Sequence, residues 1–66
     1  MDVWINGERR ELDDDATVPD ALGALGLPHS GVAVAVDGEV VPRARWAATA
    51  LGDGAHVEVL TAVQGG

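Results

Sequence analysis

The sequence predicts a single α+β domain, residues 1–66, in which one main helix covers one face of a mixed sheet of four or five strands. Three turn signals support this prediction: Asn6-Gly7, Asp37-Gly38 and Asp53-Gly54. Asn-Gly and Asp-Gly favour tight hairpins because their residues tolerate positive φ. The predicted order is hairpin, helix, strands, short helical turn and final strand, which leaves the second face of the sheet open.

The first hairpin is predicted from strands at about residues 2–6 and 9–13, which flank Asn6-Gly7. Three residues predict the helix that follows: Thr17 as N-cap, Pro19 in the first turn and Asp20 at a position where a capping box prefers Glu or Gln. Gly26 is expected to end the helix. Apolar residues recur on one helix face at helical spacing, namely Val18, Ala21, Leu22 and Leu25.

The second half of the chain reads as three strands and one helical turn. Residues 32–36 alternate Val and Ala, a short strand follows at Val40-Val41, and Pro42 interrupts regular pairing. A single helical turn is expected within residues 43–50, and the last strand within residues 56–63. The predicted core consists of Val3, Ile5, Leu12, Val18, Leu22, Leu25, Val34, Val36, Leu51, Val57 and Val59.

Composition narrows the class of protein. The chain contains no cysteine, so its stability must come from an aliphatic core without disulfides or thiolate-bound metal. The net charge of -7 argues against nucleic acid or an anionic membrane as partner and favours a basic protein surface. No apolar run approaches the roughly 20 residues of a membrane span, and no signal peptide is evident. A cytoplasmic protein is therefore expected.

The sequence ends in Gln64-Gly65-Gly66, and this end is the most informative feature for function. Two glycines without side chains can enter a narrow slot of a partner enzyme. We expect residues 63–66 to form a flexible tail in which Gln64 and Gly65 thread and the Gly66 carboxylate reacts. A frayed end or a cloning scar are the alternative interpretations.

The stretch Val40-Val41-Pro42-Arg43-Ala44-Arg45-Trp46 resembles the V-P-R-x-x-W element of the ThiS family, sulfur carriers of thiamine biosynthesis with a ubiquitin-like β-grasp fold. The Asp53-Gly54 turn and terminal Gly65-Gly66 fall in matching places, and the resemblance covers the whole chain. Gln64 departs from the small or apolar residues usual before the glycines.

This resemblance implies a co-substrate and not an enzyme. A ThiF-like adenylating enzyme would use ATP and magnesium to activate Gly66, a persulfide donor would convert it to a thiocarboxylate, and thiazole synthase would take the sulfur. The carrier itself would bind no stable cofactor or metal. A carrier resembling the small subunit of molybdopterin synthase (MoaD-like) is the nearest alternative, and a β-grasp binding module with an unactivated tail is another.

The side chains support no stand-alone enzyme, because no nucleophile, base pair or metal constellation emerges. His29 and His56 are far apart in sequence, and the roles of both stay open. Asp13-Asp14-Asp15 lacks the spacing of a calcium loop and reads as a solvated loop, with a basic partner surface as a further option. Thr49 and Thr61 lack the partners that would activate a nucleophile.

Trp4 suggests a docking surface. Because Val3 and Ile5 alternate with it, Trp4 is expected on the sheet face opposite the helix, together with Leu60 and Ala62 of the last strand. The alternative is a Trp covered by its own neighbours. Trp46 and Pro42 are expected to pack beneath the helical turn, and Arg43 either pins that turn or faces a partner.

Overall fold

The computed structural model describes residues 1–61 and contains a five-stranded sheet with one main helix, as predicted. The elements in chain order are β1 (Asp2–Ile5), β2 (Glu8–Glu11), α1 (Val18–Ala24), β3 (Val32–Val36), β4 (Glu39–Val41), the 3₁₀ helix η1 (Arg43–Ala48) and β5 (His56–Thr61). No helix within this part of the chain is long and apolar enough to cross a bilayer.

The strand order is β2-β1-β5-β3-β4, so the last strand of the sequence lies at the centre of the sheet. β1 and β5 run parallel, whereas the β1–β2, β3–β4 and β3–β5 pairs are antiparallel. A parallel neighbour requires a long crossover connection, and α1 supplies part of it. The sheet is therefore mixed, as the sequence predicted.

Both predicted hairpins contain the two-residue turns that their sequences favour. Asn6 and Asp37 each have φ of 51°, and Gly7 and Gly38 follow at 84° and 85°. The first turn is tighter than predicted: β2 starts at Glu8, which pairs with Ile5, and ends at Glu11. The predicted range of 9–13 for this strand is therefore wrong at both ends, because a two-residue loop leaves no gap before pairing resumes.

Helix α1 begins and ends as its sequence predicts. The Thr17 amide donates to the Asp20 carboxylate at 2.8 Å, so Asp20 makes the capping contact despite its short side chain. At the other end, Gly26 adopts φ of 70° and the Leu27 amide donates to the Leu22 carbonyl at 3.0 Å. η1 spans six residues, twice the single turn expected, and the described part of β5 ends at Thr61.

The core lies between α1, η1 and the inner face of the sheet. Leu12, Leu25 and Val36 are only half-buried, which corrects their prediction as core residues. All three lie at or next to element ends, where fewer side chains cover them. The buried set also contains small and aromatic residues that were absent from the predicted core list, namely Ala16, Ala21, Trp46 and Ala55. The buried set is Val3, Ile5, Ala16, Val18, Ala21, Leu22, Val34, Trp46, Leu51, Ala55, Val57 and Val59.

Candidate functional site

Strand β5 carries the chain to the candidate site. It lies between β1 and β3, and its last described residue, Thr61, pairs with Val32 at the start of β3. The predicted reactive Gly66, the threading residues Gly65 and Gln64, and the docking residue Ala62 lie outside the described residues. Here, the end of the sheet at Thr61, Val32 and Val41 is called the exit end.

Two turn residues hold β5 through their side chains. At the exit end, the Val59 amide donates to Asn6 Oδ1 at 2.8 Å, and Asn6 Nδ2 donates to the Val59 carbonyl at 3.2 Å. At the other end, the His56 amide donates to Asp37 Oδ1 at 2.9 Å, and the Asp37 amide donates to the His56 carbonyl at 2.7 Å. The strand that precedes residues 62–66 is therefore fixed at both ends.

The outer face of the sheet, opposite α1, carries Trp4 as predicted. Trp4 is 38% exposed while its neighbours Val3 and Ile5 are fully buried. Its ring stacks on the imidazole of His56, with ring centroids 6.2 Å apart and planes 10° from parallel. The register explains the contact, because Trp4 and His56 are directly paired between β1 and β5. The His56 ring thus stacks on the partly exposed Trp4 and forms no salt bridge with an acidic side chain among residues 1–61.

Leu60 lies elsewhere on the same face. It is 70% exposed and pairs with Ala33, and both residues line a shallow depression of about 120 Å³ together with Ala35, Val40 and Glu58. Leu60 follows His56 by four residues, which places it roughly 13 Å along the strand from the Trp4 stack. Docking by Trp4 and Leu60 stays a prediction, and the structure adds Val40, which is 75% exposed, to the apolar surface around Leu60.

The helix η1 is fastened beneath β4 by Trp46. This residue is 4% exposed, and its indole Nε1 donates to the Val41 carbonyl at 2.8 Å. The exposed His29 lies in the loop before β3. Its ring contacts that of Trp46 edge to face, with ring centroids 6.5 Å apart. Arg43, the first residue of η1, is exposed and forms no salt bridge with any residue from 1 to 61.

The acidic run Asp13-Asp14-Asp15 is exposed and follows β2. Asp14 accepts a hydrogen bond from the Met1 ammonium at 3.3 Å, and this contact raises the pKa of the amino group above its ordinary value. Residues 1–61 contain no group of three His, Cys, Asp or Glu side chains that could hold a metal ion. The described surface has exposed apolar side chains and a fixed last strand, and residues 1–61 bring no constellation of catalytic side chains together.

A mixed five-stranded sheet with one main helix on one face, and with the last strand at its centre, defines a ubiquitin-like β-grasp protein. The model of the ThiS family matches residues 3–66, which include the terminal glycines. The chain belongs to the ThiS family, whose members are small sulfur-carrier proteins of thiamine biosynthesis.

Solved structures support this assignment. A crystal structure of a thiamine biosynthesis protein (ThiS) from Geobacter metallireducens has 33% identity and a TM-score of 0.81, with 100% of each chain covered. A solution NMR structure of a thiamine biosynthesis protein from the same organism gives 33% identity and a TM-score of 0.79, covering 100% of this chain and 88% of the other.

A curated relative is much longer. It is a thiazole synthase from Paramagnetospirillum magneticum that is 38% identical over all 66 residues. The chain spans about a fifth (20%) of the length of that relative.

Proposed function

We propose that the chain carries sulfur as a thiocarboxylate on Gly66 and delivers it for formation of the thiazole ring of thiamine. A carboxylate is a poor acyl donor because an oxide is a poor leaving group. An ATP-dependent, ThiF-like enzyme would therefore first form the acyl-adenylate, with release of pyrophosphate. The terminal sulfur of a persulfide donor would then displace AMP to give an acyl disulfide, and a thiol would cleave its S–S bond, forming a disulfide with the donor's sulfur and releasing the thiocarboxylate. The chain is the substrate in each step.

The observation that carries this proposal is the family match through residue 66, which includes Gly65 and Gly66. The fold agrees with the role in one respect. β5 is held by strands on both sides and by Asn6 and Asp37 at its ends, so the residues after Thr61 start from a fixed point. A rigid base and a slender terminus together suit delivery of one carbonyl into an enclosed active site.

Thiazole synthase is the proposed sulfur acceptor. In the relative from Paramagnetospirillum magneticum, a segment 38% identical to this chain forms part of a protein named thiazole synthase. A carrier segment joined to a synthase suggests that the two act in succession. The MoaD-like alternative has the same terminal chemistry but another acceptor, so acceptor choice is the experiment that separates the two.

The terminal chemistry is tested by intact mass spectrometry after incubation with ATP, magnesium, a ThiF-like adenylating enzyme, a persulfide donor and a thiol reductant. We expect a mass increase equal to one oxygen replaced by sulfur. The matched controls delete Gly66 or add one residue after it, and both should remain unmodified while retaining the fold. An unmodified wild-type chain, with enzyme and donor active on another carrier, contradicts the proposal and favours a binding module.

The acceptor is tested in a second step with the thiocarboxylate protein. Incubation with thiazole synthase and its other substrates should return the Gly66 carboxylate and yield a thiazole product. Incubation with the large subunit of molybdopterin synthase and its precursor should leave the thiocarboxylate intact. The opposite pattern would assign the chain to the MoaD-like alternative.

A further inference from the structure

The carboxylates of this chain are concentrated at the end of the sheet away from Thr61. That end contains the start of β1, the end of β2 and the loop after it, the β3–β4 turn and the loop before β5. Seven of the chain's eleven acidic residues lie in these segments. They are Asp2, Glu11, Asp13, Asp14, Asp15, Asp37 and Asp53.

The exit end has a different charge. Three carboxylates, Glu8, Glu39 and Glu58, lie between the two ends of the sheet, since Glu8 and Glu39 are both level with Val57, and Glu8 forms a salt bridge with Arg10 at 3.4 Å. Arg43 has no such partner among the described residues. The loop from Leu25 to Gly31, which leads into β3, contains no acidic residue. The exit end is therefore neutral to positive in a chain of net charge -7.

The sheet register places Arg43 beside the exit. Val34 pairs with both Val41 and Val59, and Arg43 and Thr61 each follow those residues by two positions. The intervening Pro42 is extended, with φ of -60° and ψ of 144°. Continuing the line of β4 by two residues places the backbone at Arg43 about level with Thr61 and roughly 10 Å from it, two strand spacings across the sheet.

An enzyme that reacts with Gly66 must approach the exit end closely. Five residues follow Thr61, and covalent geometry limits their reach to about 17 Å. A surface around the opening that admits them lies within about 17 Å of Thr61, and the sheet register puts Arg43 in the same region. An exposed guanidinium binds carboxylates well, since its planar donors match their geometry.

Resting on the proposed function above, we propose that Arg43 docks on an acidic group beside the opening of the ThiF-like adenylating enzyme that admits residues 62–66. The net charge alone predicts a basic partner surface, but the seven acidic residues listed above lie at the opposite end of the sheet. An acidic group beside the enzyme's opening repels these carboxylates and attracts Arg43. Both effects turn the exit end toward the enzyme.

The test measures direct binding of the unmodified protein to a purified ThiF-like adenylating enzyme, without ATP, by isothermal titration calorimetry or surface plasmon resonance. We expect Arg43→Gln to raise the Kd about threefold to fivefold, as for one exposed ion pair, and Arg43→Glu to raise it further. Near 1 M salt, where the Debye length is about 3 Å, the difference should disappear. Arg45→Gln is the matched control.

Arg45 lies two residues further along η1, and Arg45→Gln removes the same charge as Arg43→Gln. Arg45, however, lines a cavity together with Asp37 and Glu39. We expect it to leave the Kd unchanged. A triple change of Asp13, Asp14 and Asp15 to Asn should not weaken binding, because these carboxylates lie at the far end. Thermal melts verify that each variant folds.

Equal effects of Arg43→Gln and Arg45→Gln, or no effect of either, overturn the docking role, as does weaker binding of the triple variant. These outcomes leave the proposed function intact when the mass assay still shows sulfur on Gly66. A wild-type chain that neither binds the enzyme nor acquires sulfur overturns both. Arg43→Lys keeps the charge without the planar fork and should fall between wild type and Arg43→Gln.

Discussion

The side-chain amide of Asn6 completes a ladder pair with the backbone of Val59, with hydrogen bonds of 2.8 and 3.2 Å. β1 ends at Ile5, so β5 would otherwise lose its β1 neighbour before reaching the exit end. Asn6 lies in a turn at φ of 51° and still supplies both hydrogen-bonding groups of a strand residue. One residue therefore forms the hairpin and extends the sheet.

Replacement of Asn6 separates these two roles. Asn6→Gly keeps the positive φ without strain and loses both bonds to Val59, so we expect a loss of about 1–2 kcal/mol in unfolding free energy. Asn6→Ala loses the same bonds and places a Cβ in the left-handed region, which adds about 1 kcal/mol. Urea unfolding measures both values. Equal stabilities for the two variants would refute the separation, and hydrogen exchange at the Val59 amide should accelerate in each.

Trp46 is expected to stabilise the fold through its ring and its N–H separately. Trp46→Phe retains most apolar volume but removes the bond to the Val41 carbonyl, at a cost of about 1 kcal/mol, whereas Trp46→Ala costs about 3–5 kcal/mol. The matched control is Trp4→Phe at the exposed site, expected to change stability by less than about 0.5 kcal/mol. Denaturant titrations measure the unfolding free energy of each variant. A loss for Trp4→Phe as large as that for Trp46→Phe would contradict this ranking.

Stability should fall above neutral pH through the Met1 amino group. The hydrogen bond from this group to Asp14 is the main cause that raises its pKa in the folded protein above the ordinary value of 8.0. The folded state thus holds the proton more tightly than the unfolded chain. The resulting stabilisation is complete below pH 8 and is lost as the pH rises through the raised pKa.

Unfolding free energies measured across this alkaline range should therefore decrease with pH in the wild-type protein. Asp14→Asn removes the main cause and should flatten the dependence. Asp15→Asn, the neighbouring control, should leave it in place. A slope unaffected by Asp14→Asn would show that another group titrates.

The depression around Leu60 is expected to contribute to binding and not to stability. Leu60→Ser should change the unfolding free energy by less than about 0.5 kcal/mol, because 70% of the side chain is exposed. It should weaken binding to the adenylating enzyme about fivefold or more if Leu60 is buried at the interface. Ala24→Ser, on the helix side, is the control, and Trp4→Ala tests whether the stack with His56 belongs to the same surface. Unchanged binding for Leu60→Ser would remove this depression from the interface.

Much of the fold could be predicted because local chemistry sets it. Asn6-Gly7 and Asp37-Gly38 adopt the positive φ values that their types favour, and Gly26 ends α1 at φ of 70°. Alternation along β1 and β5 also identified the buried face correctly, since Val3, Ile5, Val57 and Val59 are all buried. These signals act within a few residues and need no knowledge of strand order.

The remaining features depend on contacts between distant segments. The side-chain roles of Asn6 and Asp37 follow from which strand lies beside each turn, and the sequence indicates only the turns. Val40 joins Leu60 on one surface because β3 places both beside its alanines. Burial of Ala16 and Ala55 likewise reflects the segments that cover them. The net charge of the sequence does not show that the carboxylates lie away from the exit end, because this depends on the order of the strands.

The central position of β5 has a consequence for biosynthesis. Without this strand, the β1–β2 hairpin and the β3–β4 hairpin share no ladder, since β5 pairs with β1 on one side and with β3 on the other. The nascent chain therefore cannot assemble its sheet until the ribosome has released β5. Any truncation that removes the terminus together with β5 also destroys the domain. An enzyme that recognises the folded surface would then meet only molecules whose synthesis has reached the last strand.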